Sequence, residues 1–303
     1  MYSKILVPLD GSRLSEGILP YARSLAKAFN VPIDLMLVIN PETISAASAP
    51  GTDRYFYAAE ADMKKGWSNY LDETVRSFLP SLTVNCSVET GYPAETIVDK
   101  ASANPDTLIA MSTHGRSGVQ RWFIGSVADK VLHICTNPLL LVRTAGKETA
   151  NEQAALKTVI VPLDGSPLAE LVLPHVTAMA KEQDLEVVVV RAYSIATEAY
   201  TGEGYMPDIQ GLLESLKEEA KDYLEKKVKQ LSDNGVNNVS YVLAEGEAAG
   251  KIIDLARETP DNLVAMCTHG RSGVGRWVLG SVTDRVVRHC GDPVLVIRAE
   301  RKD

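Results

Sequence analysis

Lys4-Ile5-Leu6-Val7-Pro8-Leu9-Asp10-Gly11-Ser12 returns later in the chain as Thr158-Val159-Ile160-Val161-Pro162-Leu163-Asp164-Gly165-Ser166. Each stretch is a short, continuous apolar run that breaks into Asp-Gly-Ser. A run of this kind suits a strand buried on both faces of a parallel sheet. The Asp-Gly-Ser turn then leads into a helix, with Ser12 and Ser166 as N-caps. Ile18, Tyr21, Ala22 and Leu25 follow the first of them at helical spacing.

The repetition extends well beyond this opening. Residues 111–143 and 266–298 are identical at 19 of 33 positions by direct comparison. They share Thr-His-Gly-Arg-Ser-Gly-Val at 113–119 and 268–274, and Gly-Ser at 125–126 and 280–281. The offset is 154 at Asp10/Asp164 and 155 at Gly91/Gly246 and Gly115/Gly270, so one residue was gained or lost in between. A period this long means duplicated domains and not a solenoid of small repeats. Residues 145–155 are polar and rich in small side chains, and read as a linker between domain 1 (1–144) and domain 2 (156–303).

Within each copy strand and helix patterns alternate. Residues 5–9 and 159–163 read as first strands, 33–39 and 186–192 as second strands. Residues 108–111 and 263–266 feed the glycine loops, and 138–142 and 293–297 close each copy. This alternation implies a doubly wound, open, parallel α/β sheet with right-handed crossovers. The most divergent segments, 44–64 and 195–209, read as long loops before helices near 67–78 and 212–231.

Bulk properties narrow the functional classes. The chain has 303 residues, 45% apolar and 23% charged, the balance of an ordinary soluble protein of about two domains. A net charge of -8 argues against gripping nucleic acid. No run of about 18 apolar residues suggests a membrane span. The N-terminus runs straight into a strand without a signal-peptide pattern, so the chain is expected in a reducing cytoplasm. Cys86, Cys135, Cys267 and Cys290 form no CxxC pair, and read as structural, not as metal or redox groups.

Two motifs per copy fall outside the carboxyl ends of strands, where open α/β sheets bind ligands. Asp10 and Asp164 could accept hydrogen bonds from a base or ribose, or simply cap a turn. The second motif is Thr113-His114-Gly115-Arg116-Ser117-Gly118, followed by Gly125-Ser126-Val127 at a helix start. Its counterpart carries His269, Gly270, Arg271, Gly273, Gly280, Ser281 and Val282. Glycines let backbone N–H groups approach an anion, and a helix N-terminus adds its positive dipole end. Arg116 could reach a phosphate. The alternative is a long loop with an ordinary Ser N-cap. His114 and His269 read as loop or ligand contacts, not catalytic bases. Trp122 and Trp277 read as packing for the following helix. There is no Gly-x4-Gly-Lys-Ser/Thr and no GxGxxG, which excludes a P-loop and disfavours a dinucleotide site.

The Val-Pro-Leu-Asp-Gly-Ser runs, Gly91-Tyr92-Pro93 and Gly246-Glu247-Ala248, and the late glycine loops together resemble the universal stress protein family, twice over nearly the whole chain. The resemblance implies two tandem, adenine-nucleotide alpha-hydrolase-like domains. The family's ATP-binding members carry Gly, two residues, Gly, nine residues, then Gly-Ser or Gly-Thr. Here Gly115-Gly125-Ser126 and Gly270-Gly280-Ser281 match, but Ser112 and Cys267 stand at the first glycine. The resemblance implies a site for ATP or a related adenine nucleotide, with Mg²⁺. Pro8, Asp10, Ser12, Pro162, Asp164 and Ser166 would flank it. Val38 and Ala192, after the second strands, would line the base, and the glycine loops would hold the phosphates.

The implied role is a stress-response switch with at best slow ATP hydrolysis, since no nucleophile–base pair or metal cluster is evident. The competing expectation is a protein-interaction module that binds no nucleotide, as in the family's other branch. Family dimers form through the terminal strands. A tandem chain would therefore pair its two copies internally as a pseudo-dimer, with homodimerisation left open.

Overall fold

In the computed structural model the chain divides into two compact units, Met1–Ala155 and Leu156–Asp303. The structure describes residues 1–47, 53–113, 124–143, 154, 156–195, 209–270 and 279–298. The linker at 145–155, apart from 154, lies outside the described residues.

The first unit contains β1 (Lys4–Leu9), α1 (Arg13–Glu16), α2 (Leu19–Phe29), β2 (Ile33–Ile39), α3 (Pro41–Ala47), α4 (Asp53–Phe78), β3 (Val84–Thr90), α5 (Pro93–Ser102), β4 (Thr107–Ser112), α6 (Ser126–Ile134) and β5 (Leu139–Val142). Its strands lie in the order β3-β2-β1-β4-β5, all parallel. The second unit contains β6 (Thr158–Pro162), a 3-10 turn (Ala169–Val172), α7 (Leu173–Gln183), β7 (Glu186–Tyr193), α8 (Ile209–Asp233), β8 (Val239–Glu245), α9 (Ala248–Glu258), β9 (Asn262–Cys267), α10 (Ser281–His289) and β10 (Val294–Ile297). Its order is β8-β7-β6-β9-β10, again all parallel.

The apolar runs do what their composition demands. Ile5, Leu6 and Val7 are fully buried, as are Val159, Ile160 and Val161, because helices cover both faces of each central strand. α2 turns Leu19, Ala22, Leu25 and Ala26 inward and ends on Asn30 in the left-handed region (φ 52°, ψ 50°). α7 repeats the device with Asp184 (φ 51°, ψ 49°). Asn and Asp tolerate this conformation better than other non-glycine residues, so each helix stops where the second strand must begin.

Two features differ from the sequence reading. β3 and β8 were not legible, because each is an outer strand with a half-exposed, mixed polar pattern instead of an apolar run. Most of 44–64 is helix: α3 runs to residue 47 and α4 starts at 53. Ala, Glu, Met and Lys dominate 58–65, all good helix formers, and Glu60 pairs with Lys64 at 2.9 Å one turn on. In the second unit, 196–208 lie outside the described residues.

Candidate nucleotide site

In each unit the first strand ends in a tight acidic turn. The Oδ1 of Asp10 accepts from the Ser12 N–H (2.9 Å) and the Ser12 hydroxyl (2.6 Å). Asp164 and Ser166 repeat these bonds at the same distances. The Ser12 hydroxyl oxygen also accepts from Ser15 N, capping α1, and that of Ser166 accepts from Ala169 N at the 3-10 turn. Ser12 and Ser166 therefore do two jobs: they start the next turn, and they fix the carboxylate by a rigid two-point contact.

Beside this turn lies a cleft in each unit. In the first, about 290 Å³, the walls include Pro8, Asp10, Ser15, Val38, Ser112, Thr113, Gly125, Ser126 and Val127. In the second, about 260 Å³, they include Pro162, Asp164, Ala192, Cys267, Thr268, His269, Gly270, Gly280, Ser281 and Val282. Both sit at the carboxyl ends of the strands, as the open-sheet rule requires. Val38 and Ala192 are the penultimate residues of β2 and β7, not beyond them, because parallel pairing with the outer strand continues to Ile39 and Tyr193.

The glycine–serine pairs sit at the starts of α6 and α10. Gly125 and Gly280 are the N-caps in extended conformation, so Ser126 and Ser281 are the first helical residues and not caps. Neither helix has a capping side chain. The first-turn N–H groups of a helix have no intrahelical acceptor, and here the glycine N-cap supplies no side chain in that place. An exposed hydroxyl and a helix dipole thus face each cleft.

Close packing accounts for two glycines in the second unit. Gly280 donates its N–H to the Thr268 carbonyl at 2.9 Å, and a Cβ on it would stand 2.7 Å from that same oxygen. A Cβ on Gly270 would stand 1.9 Å from Asp164 Oδ2. Gly270 therefore rests directly on the acidic turn, 106 residues earlier in the chain. His269 Nδ1 lies 3.1 Å from the Thr268 hydroxyl. His114, Gly115, Arg116 and Gly118, with Arg271 and Gly273 and the tryptophans 122 and 277, lie outside the described residues.

Cys267, at the position of the family's first glycine, is buried, with its thiol directed onto the Ala169 carbonyl at 3.5 Å. Burial pushes its pKa up to about 12, so at neutral pH it adds bulk to the cleft but no negative charge. Cys135 and Cys290 are also buried and Cys86 is exposed. In native protein, a thiol reagent such as Ellman's should therefore modify one cysteine quickly and the other three only on unfolding. Rapid modification of two or more would contradict this burial.

Sequence reasoning missed a repeated tie behind the acidic turns. Tyr70 of α4 donates to Glu16 at 2.8 Å, and Tyr223 of α8 donates to Glu170 at 2.9 Å. Burial and the carboxylate acceptor both hold these phenols protonated. Similar spacing (54 residues from Glu16 to Tyr70, 53 from Glu170 to Tyr223) could have signalled the pair, but no local motif marks it. Ser15 was missed as well; its hydroxyl donates to the Ser12 carbonyl at 2.8 Å and lines the first cleft.

Comparison with known proteins matches this arrangement. The model of the universal stress protein family fits residues 1–143 and again 155–298. A universal stress protein of Mycolicibacterium smegmatis is 24% identical over 302 residues, covering 97% of this chain and 96% of its own. One from Methanocaldococcus jannaschii is 31% identical over 153 residues, covering 50% of this chain and 88% of its own. The crystal structure of a universal stress protein from Archaeoglobus fulgidus superimposes with a TM-score of 0.73 at 18% identity, covering 99% of this chain and 100% of that one. The duplicated sheet, the acidic turn after each first strand and the glycine-capped late helix thus have one source: the chain belongs to the universal stress protein family, as a tandem of two such domains.

Proposed function

We propose that each domain binds ATP or a related adenine nucleotide and that the protein acts as a nucleotide-dependent switch in the stress response, not as a fast enzyme. The observation that carries this reading is the recurrence of one cleft, built from the same repeat positions, in both domains. Asp10 and Asp164, held by Ser12 and Ser166, would accept hydrogen bonds from the base or ribose. Pro8 with Val38, and Pro162 with Ala192, would supply apolar contact to the base. The first turns of α6 and α10 would receive phosphates on their N–H groups, with Ser126 and Ser281 adding hydroxyls. Mg²⁺, arriving with the phosphates, would neutralise part of their charge.

The test is direct. Purified protein incubated with ATP, then denatured and chromatographed, should release two nucleotides per chain, and calorimetry should show matching stoichiometry. Asp10→Ala and Asp164→Ala should each remove one site. No released nucleotide and no heat at millimolar ATP would overturn the proposal. A second reading, a protein-interaction module without nucleotide, is favoured by one observation: Ser112 and Cys267 put side chains where the family's binding members have glycine.

A further inference from the structure

The two domains differ beside the shared cleft, on the far side of Asp10 and Val38, which in domain 1 border both spaces. Leu37, Val38 and Ile39 at the end of β2 all border a second space beside α4, and Val38 borders the nucleotide cleft too. On the α4 face, domain 1 has a cavity of about 560 Å³. Leu37 and Ile39 give it an apolar floor, and Met63 and Trp67 contribute from α4. Trp67 meets Tyr70 edge-to-face with centroids 5.8 Å apart. Gly66 also lines the cavity, and a Cβ built on it would meet nothing within 4 Å.

Domain 2 fills the equivalent space with its own side chains. Ile5 pairs with Ile33 and Val159 with Val187, so Leu37 corresponds to Arg191. The matching Tyr70–Glu16 and Tyr223–Glu170 bonds set the register of the long helices, so Gly66 corresponds to Glu219. Arg191 is 6% exposed, is bonded to Glu219 at 2.8 Å and lies 5.0 Å above the Tyr223 ring. One copy thus carries a buried arginine paired with a surface glutamate where the other has leucine, glycine and open space.

We propose that the domain 1 cavity is a second binding site, for a small, uncharged aromatic molecule with a hydrogen-bond donor. Its volume falls within the usual range of small-molecule sites, roughly 300–1,000 Å³. Its apolar floor and aromatic pair favour a planar ring, which packs offset or edge-on against Trp67. Among the described residues no lysine, arginine or histidine lines it and Asp10 does, which disfavours anions and favours a donor. The proposal does not rest on nucleotide binding.

N-Phenyl-1-naphthylamine, neutral and aromatic with one N–H, brightens on entering apolar sites and is the probe of choice. Titrated into nucleotide-free, full-length protein, it should show one saturable site per chain. Gly66→Leu adds a side chain at the exposed mouth of the cavity, where its Cβ meets nothing within 4 Å. It should weaken probe binding at least tenfold while the circular dichroism spectrum and melting profile stay native. Absence of saturable binding, or an affinity within twofold of wild type in the folded Gly66→Leu variant, would overturn the proposal.

Discussion

Replacing Gly280 with alanine is expected to lower the stability of domain 2 by about 1–3 kcal/mol, the usual range for forcing an extra methyl into a packed site, and to abolish the proposed nucleotide binding of that domain alone. The cause is a backbone contact. The new Cβ would lie 2.7 Å from the Thr268 carbonyl oxygen and 3.8 Å from His269 Cα. Neither atom can turn away as the end of a side chain could. Thr268 is anchored by its N–H to the Ile297 carbonyl at 2.9 Å, and Thr283 of α10 is bonded to the Cys267 carbonyl at 2.8 Å. Relief therefore requires α10 to back away from β9, moving the first turn and Ser281 with it. Thermal unfolding should show an earlier transition, and calorimetry should fall from two ATP per chain to one. An unchanged transition would mean that the helix start is not held this closely. Gly66→Ala provides the opposite control: space is open there, and alanine in a helix interior should raise stability by up to about 1 kcal/mol.

Acid should weaken the protein above the range where carboxylates titrate. His175 on α7 is half-buried, and burial lowers its pKa from 6.5 to about 4. In the folded protein the imidazole stays neutral down to that pH, whereas the unfolded chain takes up a proton near 6.5. The unfolded state thus binds more protons between these values. The contribution of His175 is complete above about pH 6.5 and is lost as pH falls toward about 4. At about 1.4 kcal/mol per unit, and discounting for partial exposure, the loss is about 2 kcal/mol. Urea unfolding at intervals from pH 7.5 to 4.5 measures it. His175→Gln cannot titrate, so its stability should fall less over the same interval. Parallel curves for variant and wild type would assign the acid sensitivity elsewhere.

Much of the fold was open to direct reading because its signals are local. A parallel strand buried on both faces must be continuously apolar, and 5–9, 159–163 and 263–266 are. The long-period repeat makes each copy a check on the other, which is why the duplication and the acidic turn could be placed without coordinates. The outer strands β3 and β8 escaped, since a strand with one neighbour and a half-wet surface has no reason to be apolar. The helical start of α4 is hidden too, because its sequence diverges from the other copy and no repeated pattern marks it. Among the site residues, Asp10 and Asp164 stood out as punctuation after a strand, but the role of Ser12 and Ser166 in clamping them did not.

The amino-acid sequence by itself determined the duplication, the α/β class, the central strands and the positions of the candidate site, since each depends on spacing within a few residues or on one copy matching the other. Tertiary structure alone decided which of those residues meet. Gly270 is glycine because Asp164 lies against it, Tyr70 and Tyr223 reach back to Glu16 and Glu170, and Arg191 with Glu219 fills a space that Leu37 and Gly66 leave open. Those contacts join residues tens of positions apart, and no periodicity along a chain encodes a distance across a sheet.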